Sequence, residues 1–217
     1  MNDSLTVKSS GYYQGNRMEM LKFVPVHSQR ILEIGCGEGN FGALLKEQLN
    51  AEVWGIDYEP DRAKVAGNRL DKILCGDVAM LTTQLPDNYF DAIICNDVLE
   101  HLIDPYSVLE GLKNKLSRDG VIVSSIPNIR YFRNLFDFVF RKNWDYTKEG
   151  IMDFTHFRFF TVNSIRKMYE TLNFEIIKME GIHPTKSLKP LLLNLFTFGS
   201  FSDIKFLQFV TVAKLKK

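Results

Sequence analysis

Through the first two-thirds of the chain, short apolar runs alternate with amphipathic stretches. Ile31 to Ile34, Val53 to Ile56, Lys72 to Cys75, Ala92 to Cys95 and Val121 to Ile126 read as strands buried on both faces. Helix-like stretches lie between them at Phe41 to Leu49, Pro60 to Leu70 and Pro105 to Leu116. The last two open with a proline, tolerated in a first turn because its missing N–H has no intrahelical partner there. Strand and helix in alternation imply a doubly wound α/β sheet with helices on both faces. After Pro127 the rhythm breaks. An aromatic-rich insertion, residues 128–161, precedes a helix near Val162 to Leu172 and a strand near Phe174 to Met179. A second insertion, residues 183–205, holds the apolar segment Leu188 to Phe201 and leads to a final strand, Phe206 to Leu215. The expectation is one domain over residues 1–217.

Composition narrows the function. The 217 residues are 45% hydrophobic, enough for one substantial core. A net charge of +1 provides no global field to gather nucleic acid, so no nucleic-acid partner is expected. Cys36, Cys75 and Cys95 form no metal-ligand spacing and read as free thiols of a reducing, cytoplasmic compartment. No run reaches the ~18 apolar residues that a spanning helix needs. The amphipathic stretch Arg130 to Lys142 and the segment Leu188 to Phe201 are read as buried caps, with peripheral membrane contact as the alternative.

The candidate chemistry begins where the first strand ends, in Glu33-Ile34-Gly35-Cys36-Gly37-Glu38-Gly39. Glycines let a backbone turn tightly and approach a ligand closely. Gly37, Gly39 and Gly42 also satisfy a dinucleotide fingerprint, with Asp57 as ribose carboxylate, so a NAD-dependent oxidoreductase or epimerase is the competing reading. Register opposes it: counted from Gly35, the third glycine position holds Asn40. Charge opposes it too, since Glu33 and Glu38 bracket the turn where a pyrophosphate would sit. Asp57, Asp77 and Asp97 each follow a strand, where open α/β sheets place their ligand crevice, and three carboxylates suit a cationic cofactor.

Glu33-x-Gly35-x-Gly37-x-Gly39 resembles the glycine motif of class I S-adenosylmethionine-dependent methyltransferases, and later motifs follow in order. The resemblance implies a Rossmann-like seven-stranded sheet, mostly parallel with the last strand antiparallel, and S-adenosylmethionine as cofactor. It assigns Asp57, with Tyr58 beside it, to the ribose hydroxyls and Asp77, with Val78, to the adenine. It places Glu33, Gly35, Cys36, Gly37, Gly39, Asn96 and Asp97 around the remainder. Residues 1–29 would cover the cofactor, with Tyr13 and Arg17 contributing an aromatic face and a cation. A retained sheet without chemistry, as a cofactor-binding subunit, is the non-enzymatic alternative.

Asp97, Glu100 and His101 stand at i, i+3 and i+4, so a helical turn would project them from one face. In the ubiquinone-pathway O-methyltransferases that this stretch resembles, such a set binds a divalent metal. The favoured reading assigns no metal, with Glu100 and His101 supporting the crevice floor. Asp153 to Thr161, within the first insertion, resembles the acceptor region of methyltransferases of bacterial polysaccharide and glycan assembly. His156 is the first candidate base, with His101 as its rival. Asp153 would orient His156, and Arg158 would clamp an anionic acceptor or pair with Asp153. The expected acceptor is a small molecule, such as a sugar, nucleotide-sugar or glycolipid precursor, methylated by a monomer or homodimer.

Overall fold

The computed structural model describes residues 17–216. After a 3-10 turn at Met18–Phe23, the strands are β1 (Arg30–Ile34), β2 (Glu52–Asp57), β3 (Lys72–Cys75), β4 (Phe90–Asn96), β5 (Leu116–Pro127), β6 (Phe174–Pro184) and β7 (Phe206–Leu215). The helices are α1 (Asn40–Leu49), α2 (Pro60–Ala66), α3 (Val78–Leu81), α4 (Pro105–Leu112), α5 (Phe132–Phe140), α6 (Val162–Thr171) and α7 (Lys189–Phe196). The sheet order is β3-β2-β1-β4-β5-β7-β6. β7 runs antiparallel to both β5 and β6, as the methyltransferase resemblance implies.

Alternation along each strand divides the core between the two sheet faces. Ile31, Val53, Ile94 and Val123 pack with Phe41 and Leu45 of α1 and with Met20 and Phe23. Leu32, Ile56, Ile93 and Ile122 pack with Leu109 of α4 and with Met168 and Tyr169 of α6. A sheet covered on both faces requires apolar side chains in both registers, which is why the central strands carry unbroken apolar runs. The strand order reverses between β1 and β4, so the switch point opens at their carboxyl ends.

Several elements depart from the expected bounds. α2 stops at Ala66 rather than Leu70, and α4 stops at Leu112 before tightening into a 3-10 turn that delivers Leu116 to β5. α3 is a single turn, too short to leave a periodic signature. The largest correction concerns the two insertions. Among α5 residues none is buried, and Leu195, Phe196 and Phe198 of the second insertion are 73%, 78% and 99% exposed. These apolar stretches are therefore not buried caps: among the described residues no element covers their exposed faces.

Candidate active site

The first turn of the crevice is held by one carboxylate. Gly35, Gly37 and Gly39 all have positive φ, between 56° and 77°. A Cβ on Gly35 would meet Val98 Cγ2 at 2.5 Å, so a side chain here would have to displace Val98 as well as adopt a left-handed backbone. Asp57 Oδ2 accepts the Gly37 N–H at 2.6 Å, and Oδ1 accepts the Glu59 N–H at 2.9 Å. β2 thus ties down the glycine loop that follows β1. Each oxygen keeps a second acceptor direction, suited to a ribose hydroxyl.

Glu33, Gly35, Cys36, Gly37, Asp57, Tyr58, Asp77, Val78, Asn96, Asp97 and Arg17 all line one crevice of about 1130 Å³. Gly39 lies just outside it, at the N-terminus of α1. Tyr13 lies outside the described residues. Asp77 also caps α3, accepting the Ala79 N–H at 2.9 Å, so the turn role and a ligand role fall on the same side chain. Both atoms of the Asn96 carboxamide are buried without a hydrogen-bond partner among the described residues, as is Glu33 Oε2. Such groups are costly unless a polar ligand or water meets them. Burial pushes the Glu33 carboxyl up to about 8; the Gly42 backbone N–H opposes this and nearby Asp57 adds to it. Burial, with Glu33 and Asp57 beside it, likewise holds the Cys36 thiol protonated.

Asp97 differs from its expected role. Its backbone is left-handed, φ 53°, so the helical turn begins only at Leu99 and the i, i+3, i+4 face does not form. Asp97 instead pairs with Arg17 at 2.6 Å and accepts from Gln208 Nε2 at 2.6 Å. Arg17 also donates to Ser125 Oγ at 2.7 Å. Burial raises the Asp97 carboxyl against the opposing pull of Arg17, Ser125, His156 and Gln208. Arg17 therefore neutralises one of the three aspartates foreseen for the cofactor, and Glu33 stands as an additional carboxyl in the crevice.

At the other end of the crevice the two histidines treated as rivals stand together. The His101 and His156 rings meet edge to face, centroids 4.5 Å apart. His156 Nδ1 lies 2.9 Å from the Ile151 carbonyl oxygen. His101 Nδ1 lies 3.0 Å from Thr155 Oγ1 and 3.2 Å from the Thr155 carbonyl oxygen. Thr155 Oγ1 donates to Asp153 Oδ1 at 2.7 Å, so it accepts from His101. Carbonyl oxygens only accept, hence each Nδ1 carries a hydrogen. Asp153 reaches His101 through Thr155, while the Ile151 carbonyl orients the His156 ring. Arg158 donates to the Ile103 carbonyl oxygen at 2.7 Å, which ties the insertion to the loop before α4. Ligand atoms of Glu100, His101 and His156 lie within 4.8 Å of one another, a set different from the Asp97, Glu100, His101 of the metal alternative.

Gln208, Ser125 and Thr155 had no signal in the sequence, because their roles arise from pairing between distant segments. The crevice at the carboxyl ends of β1 and β4 is thus lined by glycines and acidic side chains. The methyltransferase domain family model matches residues 10–179, and the chain belongs to that family. It is of the class I type whose cofactor is S-adenosylmethionine, which removes the dinucleotide reading of the glycine run. A structure of a SAM-dependent methyltransferase from Archaeoglobus fulgidus superposes with a TM-score of 0.71 at 22% identity, over 94% of this chain and 96% of that one. One from Mesorhizobium loti gives a TM-score of 0.64 at 18% identity, over 90% and 95%. A ubiquinone biosynthesis O-methyltransferase of Glaesserella parasuis serovar 5 (strain SH0165) is 34% identical over 112 residues, 46% of this chain and 46% of that protein. The alignment thus spans less than half the length of that relative.

Proposed function

We propose that this protein moves the methyl group of S-adenosylmethionine to a hydroxyl oxygen of a small-molecule acceptor, with His156 taking the proton. The acceptor oxygen attacks the methyl carbon in line, the carbon–sulfur bond breaks with its electron pair going to sulfur, and the hydroxyl proton passes to Nε2 of His156. The observation that carries this reading is the buried His156 on the lining of the crevice, its Nδ1 held by the Ile151 carbonyl oxygen so that Nε2 is the ring nitrogen that would take the proton. Asp57 and Asp77 hold the ribose and adenine, and Glu33 and Asn96 supply unmet polar groups for the remainder of the cofactor. A sugar or glycolipid precursor is the acceptor class favoured by the Asp153 to Thr161 segment. The ubiquinone-pathway relatives favour a phenolic one, and a panel containing both separates them. His156→Ala should leave S-adenosylmethionine affinity within a few-fold while lowering turnover by about a hundredfold or more. Full activity in that variant removes His156 from the chemistry.

A second reading rests on Glu100, His101 and His156. Two imidazoles whose Nδ1 atoms donate to protein oxygens, beside a buried carboxylate, have the outer hydrogen bonds that orient metal ligands. A divalent ion there would polarise the acceptor oxygen, and imidazole-rich donors suit zinc or iron better than magnesium. Turnover abolished by a chelator and restored by a divalent ion, together with metal binding lost in His101→Ala, selects this reading over the base.

A further inference from the structure

The two insertions carry a surface that the crevice does not use. Both rise from the rim where the sheet opens: α5 follows β5, and α7 lies between β6 and β7. They are bound to each other at their roots. Arg130 pairs with Asp203 at 2.7 Å and donates to the Ser200 carbonyl oxygen, and the Phe132 N–H donates to the Ile204 carbonyl oxygen. Beyond those roots Phe138, Phe140, Leu191, Leu195, Phe196 and Phe198 are each more than half exposed. Isolated exposed leucines are ordinary, but this density of large apolar side chains on one rim marks a docking surface.

Charge identifies the occupant. Residues 130–142 and 183–205 together carry seven Lys and Arg against two Asp, a net +5 in a chain whose net is only +1. The remainder of the protein is correspondingly acidic, so the basic excess is concentrated on the two segments that expose the apolar side chains. Short helices with apolar faces and basic flanks seat at the boundary between lipid headgroups and acyl chains, the cations meeting anionic headgroups. No helix among the described residues is long and apolar enough to cross a membrane, so the contact is one of lying on the surface. We propose that the two insertions dock this protein on an anionic lipid bilayer. Insofar as the crevice is a methyl-transfer site, its acceptor end then faces the membrane, within reach of acceptors that reside there.

The test is co-sedimentation of the full chain with vesicles of phosphatidylcholine alone and of phosphatidylcholine mixed with phosphatidylglycerol. Binding should be strong to the mixed vesicles, weak to the neutral ones, and reduced by salt as surface charge is screened. Leu195→Glu with Phe196→Glu should weaken it by about tenfold or more per residue, because each gives up the burial of a large apolar side chain. Lys186→Glu with Lys189→Glu should weaken it by about fivefold per residue. Both variants alter exposed side chains remote from the crevice, so calorimetric binding of S-adenosylmethionine should stay at the wild-type value. That control separates a failure here from a failure of the methyl-transfer reading. Absence of sedimentation with either vesicle overturns the proposal, as does variant binding equal to wild type. A dimer in solution that the Leu195, Phe196 variant dissociates, without vesicle binding by either form, also overturns it and assigns the face to a second copy of the chain.

Discussion

At the ends of β1 and β2 the crevice wall is mainly backbone: three left-handed glycines, turned over Val98 and held by the Asp57 carboxylate within 2.6 Å of the Gly37 N–H. Beside β5 and β7 the wall is made of side chains borne on the first insertion, where Thr155 and His156 face His101 from 54 and 55 positions further along the chain. The first region can be written as a local motif, because the turn, the tether and the ligand-facing groups lie within a few residues of two adjacent strands. The second exists only once the sheet order is set. The two also differ in stability. Ile31, Leu32, Ile93 and Ile94 under the first are wholly buried, whereas α5 and most of α7 above the second bury little of their apolar surface. A rigid cofactor cradle joined to a weakly packed acceptor rim suits an enzyme family that varies its acceptor while keeping its methyl donor.

The sharpest way to break the contrast is through Glu33, the buried carboxyl that has one oxygen unsatisfied among the described residues. Its folded pKa, raised to about 8, lies above the value of an unfolded glutamate, so the folded state holds the proton more tightly. Stability from this group is fully present below about pH 4.5 and is lost as pH rises toward 8, with a limiting slope of about 1.4 kcal/mol per pH unit. Glu33→Gln, neutral throughout, should lack that loss. Chemical denaturation of both proteins from pH 5 to 8 should therefore show the variant gaining on wild type by on the order of a few kcal/mol. Parallel profiles would mean that Glu33 is ionised in the folded protein and that the cradle accommodates a buried charge. A cationic cofactor should reverse the balance: bound S-adenosylmethionine favours the ionised carboxylate, and a proton should leave on binding near neutral pH.

Next in size is Asp57→Ala, which removes both the tether of the glycine loop and the ribose acceptor. Cofactor affinity should fall by about 1–3 kcal/mol, measured calorimetrically. Asp57→Asn keeps an acceptor for one backbone N–H and should recover part of the loss. If Asp57→Ala binds as wild type does, the loop is held by its glycines alone and the backbone character of this region has been overstated.

These positions show what could be read before the fold was known. The strand runs, the glycine turn and the aspartates after β2 and β3 are local, and local periodicity reports them. The partner of Asp97 was not legible: Arg17 and Gln208 reach it from 80 and 111 residues away, the latter on the antiparallel strand that inserts between β5 and β6. The expected Asp97, Glu100, His101 face presumed a continuous helical turn, and a left-handed backbone at Asp97 removed it. The two histidines looked like alternatives because nothing in their spacing says that residues 151–157 fold back over residues 98–103. The caps failed for a different reason. Amphipathic patterning shows that one face of a segment is apolar, but not whether the protein itself supplies the surface that covers it.

The smallest expected effect follows from that last point. If the apolar residues of α7 contribute nothing to the folded core, Leu195→Gln should change folding stability by less than about 0.5 kcal/mol, since a polar side chain at a solvated position exchanges one hydrated group for another. Glutamine has a helix propensity close to that of leucine, so the backbone of α7 is not the variable. The reference is Ile94→Ala, at a wholly buried position on β4, which should cost about 2–5 kcal/mol through lost burial and the cavity left behind. Measured side by side in urea, the pair asks whether the acceptor rim is energetically separate from the cradle. A loss above about 2 kcal/mol in Leu195→Gln would place it among the large effects that require buried contacts. α7 would then pack against the protein in solution, and the apolar rim would be part of the core rather than a surface turned toward something else.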